Sequence, residues 1–307
     1  MISTVCLNPS FDKTAYVENL ISGEVNRLTD IRLDMGGKGL NVAVAVHRFG
    51  MEAQCLCIIG DKGSTQMNEL IQAERLTTHF LPVEGAVRTN LKVVSRSDGR
   101  VTEFNEPGAY VSQEAFAAFR KLVKKHTASE RYLVLTGSLP PGLNEDAYCQ
   151  LMKDAKGVPC VVDSMGAQLL LSLSEQPYIV KPNLGEIEST LKRELKTLRD
   201  IRDAGISLVE RGAKNVVISM GKAGALMTNG PKAIYAPALK VAAKSTVGAG
   251  DAMVGGLLYG LEKFGSMADA FRCGIAAGAA SVMTEGTQLI RFSDFEMLLP
   301  QVKIQEV

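Results

Sequence analysis

Apolar residues along the chain fall into two kinds of segment that take turns. Short β-branched runs at 1–7, 55–59, 132–135, 158–162, 178–180 and 216–219 have strand lengths and are apolar nearly throughout, as in strands buried on both faces. Between them, segments 39–49, 113–125, 144–156 and 197–211 carry apolar residues at helical spacing. The alternation predicts an α/β fold with a mostly parallel sheet covered by helices on both faces. Two stretches break the rhythm. Residues from about 14 to 33, and from 88 to 105 with the Ser97-Asp98-Gly99 turn, read as strands with no helix between them and predict a small separate β-layer able to cover a cleft. No repeat, low-complexity tract or Pro/Ser-rich linker divides the chain, so 1–307 is read as one domain with the two strand pairs as insertions.

The ends of the predicted strands are where polar chemistry collects. Residues 1–7 lead into Asn8-Pro9-Ser10-Phe11-Asp12, 133–135 into Thr136-Gly137-Ser138, Val161-Val162 into Asp163-Ser164, Ile179-Val180 into Lys181-Pro182-Asn183, and Val217-Ile218 into Ser219-Met220-Gly221. Loops are polar in general, but charges set directly after apolar strands are better explained by a shared site, and the carboxyl edge of an open parallel sheet is where ligands bind.

Composition narrows the function classes. The 307 residues carry 34 Lys plus Arg against 33 Asp plus Glu, a formal net charge of +1, which gives no global attraction to nucleic acid. The longest nearly apolar stretch, at 273–283, is about half the roughly 20 residues of a membrane helix. The amino terminus has no basic segment ahead of its apolar run and reads as a first strand, so a cytoplasmic location is expected. Six scattered cysteines without a C-x-x-C spacing read as buried free thiols, Cys55 and Cys57 sharing one strand face included. With three histidines in the chain, a zinc site is not expected.

Two of the glycine clusters carry candidate chemistry. In Ser245-Thr246-Val247-Gly248-Ala249-Gly250-Asp251 a Gly-Ala-Gly turn opens a helix, whose free amides and dipole suit a phosphate or the charge on a transferring phosphoryl group. Asp251 in the first turn is placed to accept a proton from an attacking hydroxyl, although an acid there is also favoured by the dipole alone. In Gly36-Gly37-Lys38-Gly39-Leu40-Asn41 the glycines admit a ligand to the backbone, Lys38 offers a cation and Asn41 a donor and an acceptor. Neither the P-loop spacing nor a Gly-x-Gly-x-x-Gly after a strand occurs, so the common nucleotide motifs are absent.

These two segments resemble the signatures of the pfkB, or ribokinase-like, carbohydrate kinases. The resemblance extends through Leu7-Asn8-Pro9-Ser10-Phe11-Asp12, Arg88-Thr89-Asn90, Gly137-Ser138-Leu139-Pro140, Val162-Asp163-Ser164, Lys181-Pro182-Asn183-Leu184-Gly185-Glu186 and Ser219-Met220-Gly221, in the family's order. It is nearest the phosphosugar branch, that of 1-phosphofructokinase and tagatose-6-phosphate kinase. The fold it implies is the ribokinase-like three-layer α/β/α arrangement with a small β-sheet lid. The roles it implies are Asp251 as general base and Gly248, Ala249 and Gly250 as the anion hole. Asp12, Gly37 and Asn41 would hold sugar hydroxyls, and Lys38, Arg88, Arg27 and Ser138 the phosphate already on the substrate. Asn183 and Glu186 would organise Mg²⁺ through water, while Lys181, Ser219, Gly221, Ala276 and Ala279 would border ATP. For the helix bearing the last two, Gly274 and Gly278 also admit a plain reading as close helix packing. Ser245-Thr246-Val247 stands where many relatives have Asp-Thr-Thr, which leaves a monovalent cation at that loop open. The resemblance thus implies an ATP- and Mg²⁺-dependent kinase acting on fructose 1-phosphate, with tagatose 6-phosphate or fructose 6-phosphate as alternative substrates. It also implies a homodimer through the β-lid. A non-catalytic phosphosugar-binding regulator on the same fold would be expected to lack the base or the metal-organising acid, and both are present.

Overall fold

The computed structural model describes residues 1–127, 130–284 and 288–307. Its strands are β1 (Ile2–Cys6), β2 (Ser10–Val17), β3 (Ile31–Gly36), β4 (Ala53–Lys62), β5 (Thr77–Ala86), β6 (Arg88–Ser95), β7 (Val101–Asn105), β8 (Tyr132–Thr136), β9 (Cys160–Asp163), β10 (Ile179–Val180), β11 (Val216–Ser219), β12 (Ala225–Thr228), β13 (Ala233–Ala236) and β14 (Gln305–Glu306). Its helices are α1 (Lys38–Arg48), α2 (Ser64–Ala73), α3 (Gln113–Thr127), α4 (Ala147–Asp154), α5 (Gly166–Ser172), α6 (Leu184–Leu191), α7 (Leu198–Glu210), α8 (Ala249–Phe264), α9 (Met267–Val282) and α10 (Phe292–Leu298).

Ten strands form the main sheet in the order β14-β13-β12-β11-β10-β9-β8-β1-β4-β5. From β11 to β5 every neighbouring pair is parallel, and the hairpins at the other end are antiparallel. The continuous apolar runs follow from burial on both faces. In β8, Leu133 and Leu135 enter the core beneath α3 to α7, while Val134 enters the core beneath α8 and α9. The same period-2 division places Val162 and Val161, or Ile218 and Val217, on opposite faces. All six cysteines are buried and none forms a disulfide, with Cys55 and Cys57 Sγ 3.4 Å apart inside the sheet core.

The second sheet has the order β3-β2-β6-β7. It comes from the two stretches that broke the alternation, with differences at the edges. The first strand begins at Ser10 rather than near 14, and residues 18–30 form an irregular connection instead of continuing the strands. The central pair, β2 with β6, is parallel and sets Asp12 directly opposite Asn90. Strand β5 was not foreseen because only its inner residues are half-buried and Pro82 and Gly85 interrupt its pattern.

Helices α8 and α9 pack at very short range, and their small residues are the cause. A Cβ at Gly256 would lie 2.5 Å from the Ala277 Cβ, and one at Gly260 would lie 2.5 Å from the Ala270 Cα. The close-packing reading of this helix pair is therefore realised, chiefly by glycines of α8. Among the described residues, no helix is long and apolar enough to cross a membrane.

Candidate active site

The carboxyl ends of β8, β9 and β10 and the amino ends of α1, α6 and α8 converge on one polar cluster. Asp163, the last residue of β9, is 1% exposed. Its Oδ1 lies 3.2 Å from Lys181 Nζ, and its Oδ2 lies 3.5 Å from Lys38 Nζ and accepts a hydrogen bond from Thr136 Oγ1 at 3.0 Å. Burial alone pushes this carboxyl up, but Lys181, Lys38 and the Thr136 hydroxyl outweigh it and hold Asp163 below the usual carboxylate range. Lys38 also lies 3.5 Å from Glu186 Oε1, and Asp163 above all, with Glu186, raises its pKa far above that of a free lysine. Glu186 is fixed by a capping box: Asn183 N–H donates to its Oε2 at 2.8 Å, and its own N–H donates to Asn183 Oδ1 at 2.9 Å.

Asp251 stands in the first turn of α8 and is 5% exposed. Asn41 Nδ2, one turn into α1, donates to its Oδ2 at 2.8 Å. Burial lifts the carboxyl to about 6, opposed by Lys38 and by the Asn41 bond. The helix begins at Gly248 with φ of 77°, in the left-handed region, where a Cβ would stand 2.6 Å from Leu289. The first amides of α8 have no intrahelical acceptor, and that of Ala249 donates to the Thr246 carbonyl at 3.4 Å. Lys181 Nζ lies 3.4 Å from where a Cβ on Gly250 would be, which adds a cation beside that turn.

The second sheet supplies a further polar cluster, around Asp12. Ser10 Oγ and Asn90 Nδ2 each donate to Asp12 Oδ1 at 3.1 Å, and Lys92 Nζ donates to Oδ2 at 3.2 Å. Arg88 Nε donates to the Asn8 carbonyl at 3.1 Å, and Asn8 Nδ2 donates to Ser138 Oγ at 3.4 Å, so Asn8 ties two of the expected phosphate contacts together.

The expected site residues thus divide. Asn41 meets Asp251, Asn8 links Arg88 with Ser138, and Asp12 stands opposite Asn90 in the second sheet. Lys38 is turned away from Arg88, toward Asp163 and Glu186. Arg27 is exposed in the 18–30 connection, without a bond to this cluster among the described residues. On the nucleotide side, Ser219 forms an isolated bridge to Asn183, and Gly221 takes a positive φ of 55° with open space around its Cα. Lys181 is buried against Asp163, Ala276 is wholly buried in the α8–α9 core, and Ala279 is half-buried beside it. Ser245 Oγ accepts from Val247 N–H at 3.2 Å, closing the turn that replaces Asp-Thr-Thr.

Sequence reasoning gave no role to Asp163, Thr136, Asn8, Asn90 or Lys92. Asp163 carried a signal, a charge set directly after an apolar strand. Lys92 carried none, because its importance comes only from its opposition to Asp12 across β2 and β6. Among the described residues, no group of three or more His, Cys, Asp and Glu side chains is placed to hold a metal by itself.

Comparison with known proteins agrees with this arrangement. Residues 5–292 match the model of the pfkB family of carbohydrate kinases. The 1-phosphofructokinase of Xanthomonas campestris pv. campestris is 35% identical over 295 residues, 92% of this chain and 93% of its own. The 1-phosphofructokinase of Bacillus subtilis is 32% identical over 306 residues, 99% of each chain. Among solved structures, phosphofructokinase-2 from Escherichia coli in complex with potassium superimposes with a TM-score of 0.91 at 32% identity, covering 98% of both chains. With the glycine-opened helix, the post-strand charges and the small lid sheet all in place, this chain belongs to the pfkB family of carbohydrate kinases.

Proposed function

We propose that this protein transfers the γ-phosphoryl group of ATP to the free primary hydroxyl of fructose 1-phosphate, making fructose 1,6-bisphosphate, with the whole chain acting as one kinase domain. The observation that carries the mechanism is the pairing of a buried Asp251 with the amino end of α8. In this reading the sugar hydroxyl attacks the γ-phosphorus as its proton passes to Asp251, and ADP leaves with the electron pair of the broken bond. The amides of Gly248, Ala249 and Gly250 and the Lys181 ammonium face the charge on the transferring group. Asn41 holds the Asp251 carboxylate in one orientation. Arg88, through the Asn8–Ser138 link, forms the cationic end that holds the sugar's own phosphate, with Arg27 as a further contact. Ser219, Gly221 and Ala279 border the nucleotide.

Asn183 and Glu186 fit a hard cation bound through water, since they supply an amide and a carboxylate oxygen, which also serve the capping box and, for Glu186, the Lys38 contact. Mg²⁺ bound there would neutralise charge on the nucleotide phosphates. The substrate choice is supported by the curated relatives, which are 1-phosphofructokinases. Similarity to Escherichia coli phosphofructokinase-2 favours a second reading, a 6-phosphosugar kinase, because a ketohexofuranose has a primary carbon at both ends of its ring. The second sheet and its connection also support a dimer: Ile21, Val25, Leu28, Ile31, Val101 and Phe104 are exposed there, apolar side chains that a partner surface could cover.

Five measurements test these readings. Asp251→Asn is expected to fold and bind ATP while losing at least ~10² of kcat, the scale of a removed general base; near-normal turnover overturns the mechanism. The same variant should be at least as stable as wild type at pH 7.5. The folded carboxyl ionises near 6 rather than near the ordinary 3.8, so folding loses stability as pH rises through that window, and Asn removes the cost. In wild type, kcat/KM should fall below a midpoint near pH 6, where Asp251 becomes protonated and cannot accept the proton. Comparison of kcat/KM on fructose 1-phosphate, fructose 6-phosphate and tagatose 6-phosphate should favour the first, and a clear preference for either 6-phosphate selects the second reading. Light scattering at micromolar concentration should give the mass of a dimer, and a monomeric mass removes the lid interface.

A further inference from the structure

Asp12 has nearly all of its hydrogen-bonding capacity committed inside the protein. A carboxylate offers about four lone-pair sites. Two on Oδ1 are taken by Ser10 Oγ and Asn90 Nδ2, and one on Oδ2 is taken by Lys92 Nζ. The Oδ1 side is also closed sterically, since a Cβ on Gly36 would lie 2.3 Å from that atom. One lone pair is left, on Oδ2, next to the Lys92 ammonium. The Lys92 and Asp12 side chains are 12% and 9% exposed, so their pairing is mostly shielded from water and salt. Removing one member of such a pair leaves a poorly solvated charge with a strong tendency to reorient.

Lys92 lies on β6 two residues beyond Asn90, which stands opposite Asp12 in the register. The period of a strand puts Asn90 and Lys92 on the same face. Two consecutive same-face residues of the lid therefore clamp the two oxygens of one carboxylate that belongs to the neighbouring strand. Nothing in the packing of the lid core requires a lysine at this place, because the apolar residue buried on β6 is Val93, on the opposite face.

We infer that Lys92 is a positioning residue for sugar recognition: it holds the Asp12 carboxylate oriented so that the free lone pair of Oδ2 accepts one hydroxyl of the phosphosugar. This rests on the proposed sugar-binding place of Asp12. A carboxylate acceptor with one open site takes a hydroxyl donor and disfavours an acceptor or a second anion, so Lys92 contributes to which hydroxyl pattern the pocket admits. The sugar's phosphate is left to Arg88, whose guanidinium bonds to Asn8 and to Asn90 Oδ1.

The test is a double-mutant cycle on the purified full-length protein with Lys92→Met, Asp12→Asn and the pair, plus Lys92→Arg, each checked for a wild-type melting transition. Wild-type turnover of fructose 1-phosphate, fructose 6-phosphate and tagatose 6-phosphate is measured first. On the preferred sugar, Lys92→Met should raise KM by about 10-fold or more, as for a lost charge-assisted contact, while KM for ATP stays within about twofold. Asp12→Asn combined with Lys92→Met should be no worse than Asp12→Asn alone, since Lys92 acts through that carboxylate. Lys92→Arg should recover part of the affinity. An unchanged sugar KM in Lys92→Met, effects that add in the double variant, or equal losses for sugar and ATP would each overturn the inference while leaving the kinase assignment standing. A wild type inactive on all three sugars would overturn the assignment and this inference together.

Discussion

A carboxylate buried at the end of a β-strand has to be neutralised where it stands, and at Asp163 this is done from two directions. Lys181 follows the next strand of the sheet, whereas Lys38 opens a helix reached from the lid side. Neither lysine could be brought so close to the sheet edge without that charge, and Asp163 could not remain ionised without them. The two ion contacts link the glycine turn before α1 to the ends of β9 and β10. Everything else in the site is measured from there: Glu186 reaches back to Lys38, Lys181 lies beside Gly250, and Asn41, one turn along α1 from Lys38, meets Asp251.

The excess of glycine is the packing counterpart of that charge arrangement. At Gly36 a side chain would occupy the place of the Asp12 carboxylate, and at Gly248 it would strike Leu289. On α8 the same residue type does a different job, letting α9 approach so closely that the helix start carrying Asp251 is backed by a rigid layer. Preorganisation of this kind has a thermodynamic cost that is visible at Asp251, whose burial raises its pKa toward the range useful to a base.

The second sheet joins this frame through both apolar and polar contacts, Phe11 and Met35 packing into the core with α1, α2 and β4. Asp12, Asn90, Lys92 and Arg88 lie on its two central strands, and Asn8 links Arg88 to the loop after β8.

The chain's own pattern determined the parallel sheet, because strands buried on both faces must be apolar throughout, and it determined the glycine turn that opens α8 at Gly248, because glycine conformation acts locally. It also marked Asp163 and Lys181 as unusual, since charges directly after apolar strands are poorly explained by loop polarity. Which partners those charges take was decided only by the tertiary structure. Lys38, expected at a sugar phosphate, lies 3.5 Å from the buried Asp163 at the sheet edge. Ala276 could have bordered a ligand, and close approach of α8 leaves it wholly inside. Lys92 acquires its meaning solely from the parallel register of β6 with β2, a pairing between strands some 80 residues apart that no local periodicity encodes. Local backbone chemistry is written in neighbouring residues, whereas the pairing of charges across strands depends on distances that exist only once the core has closed.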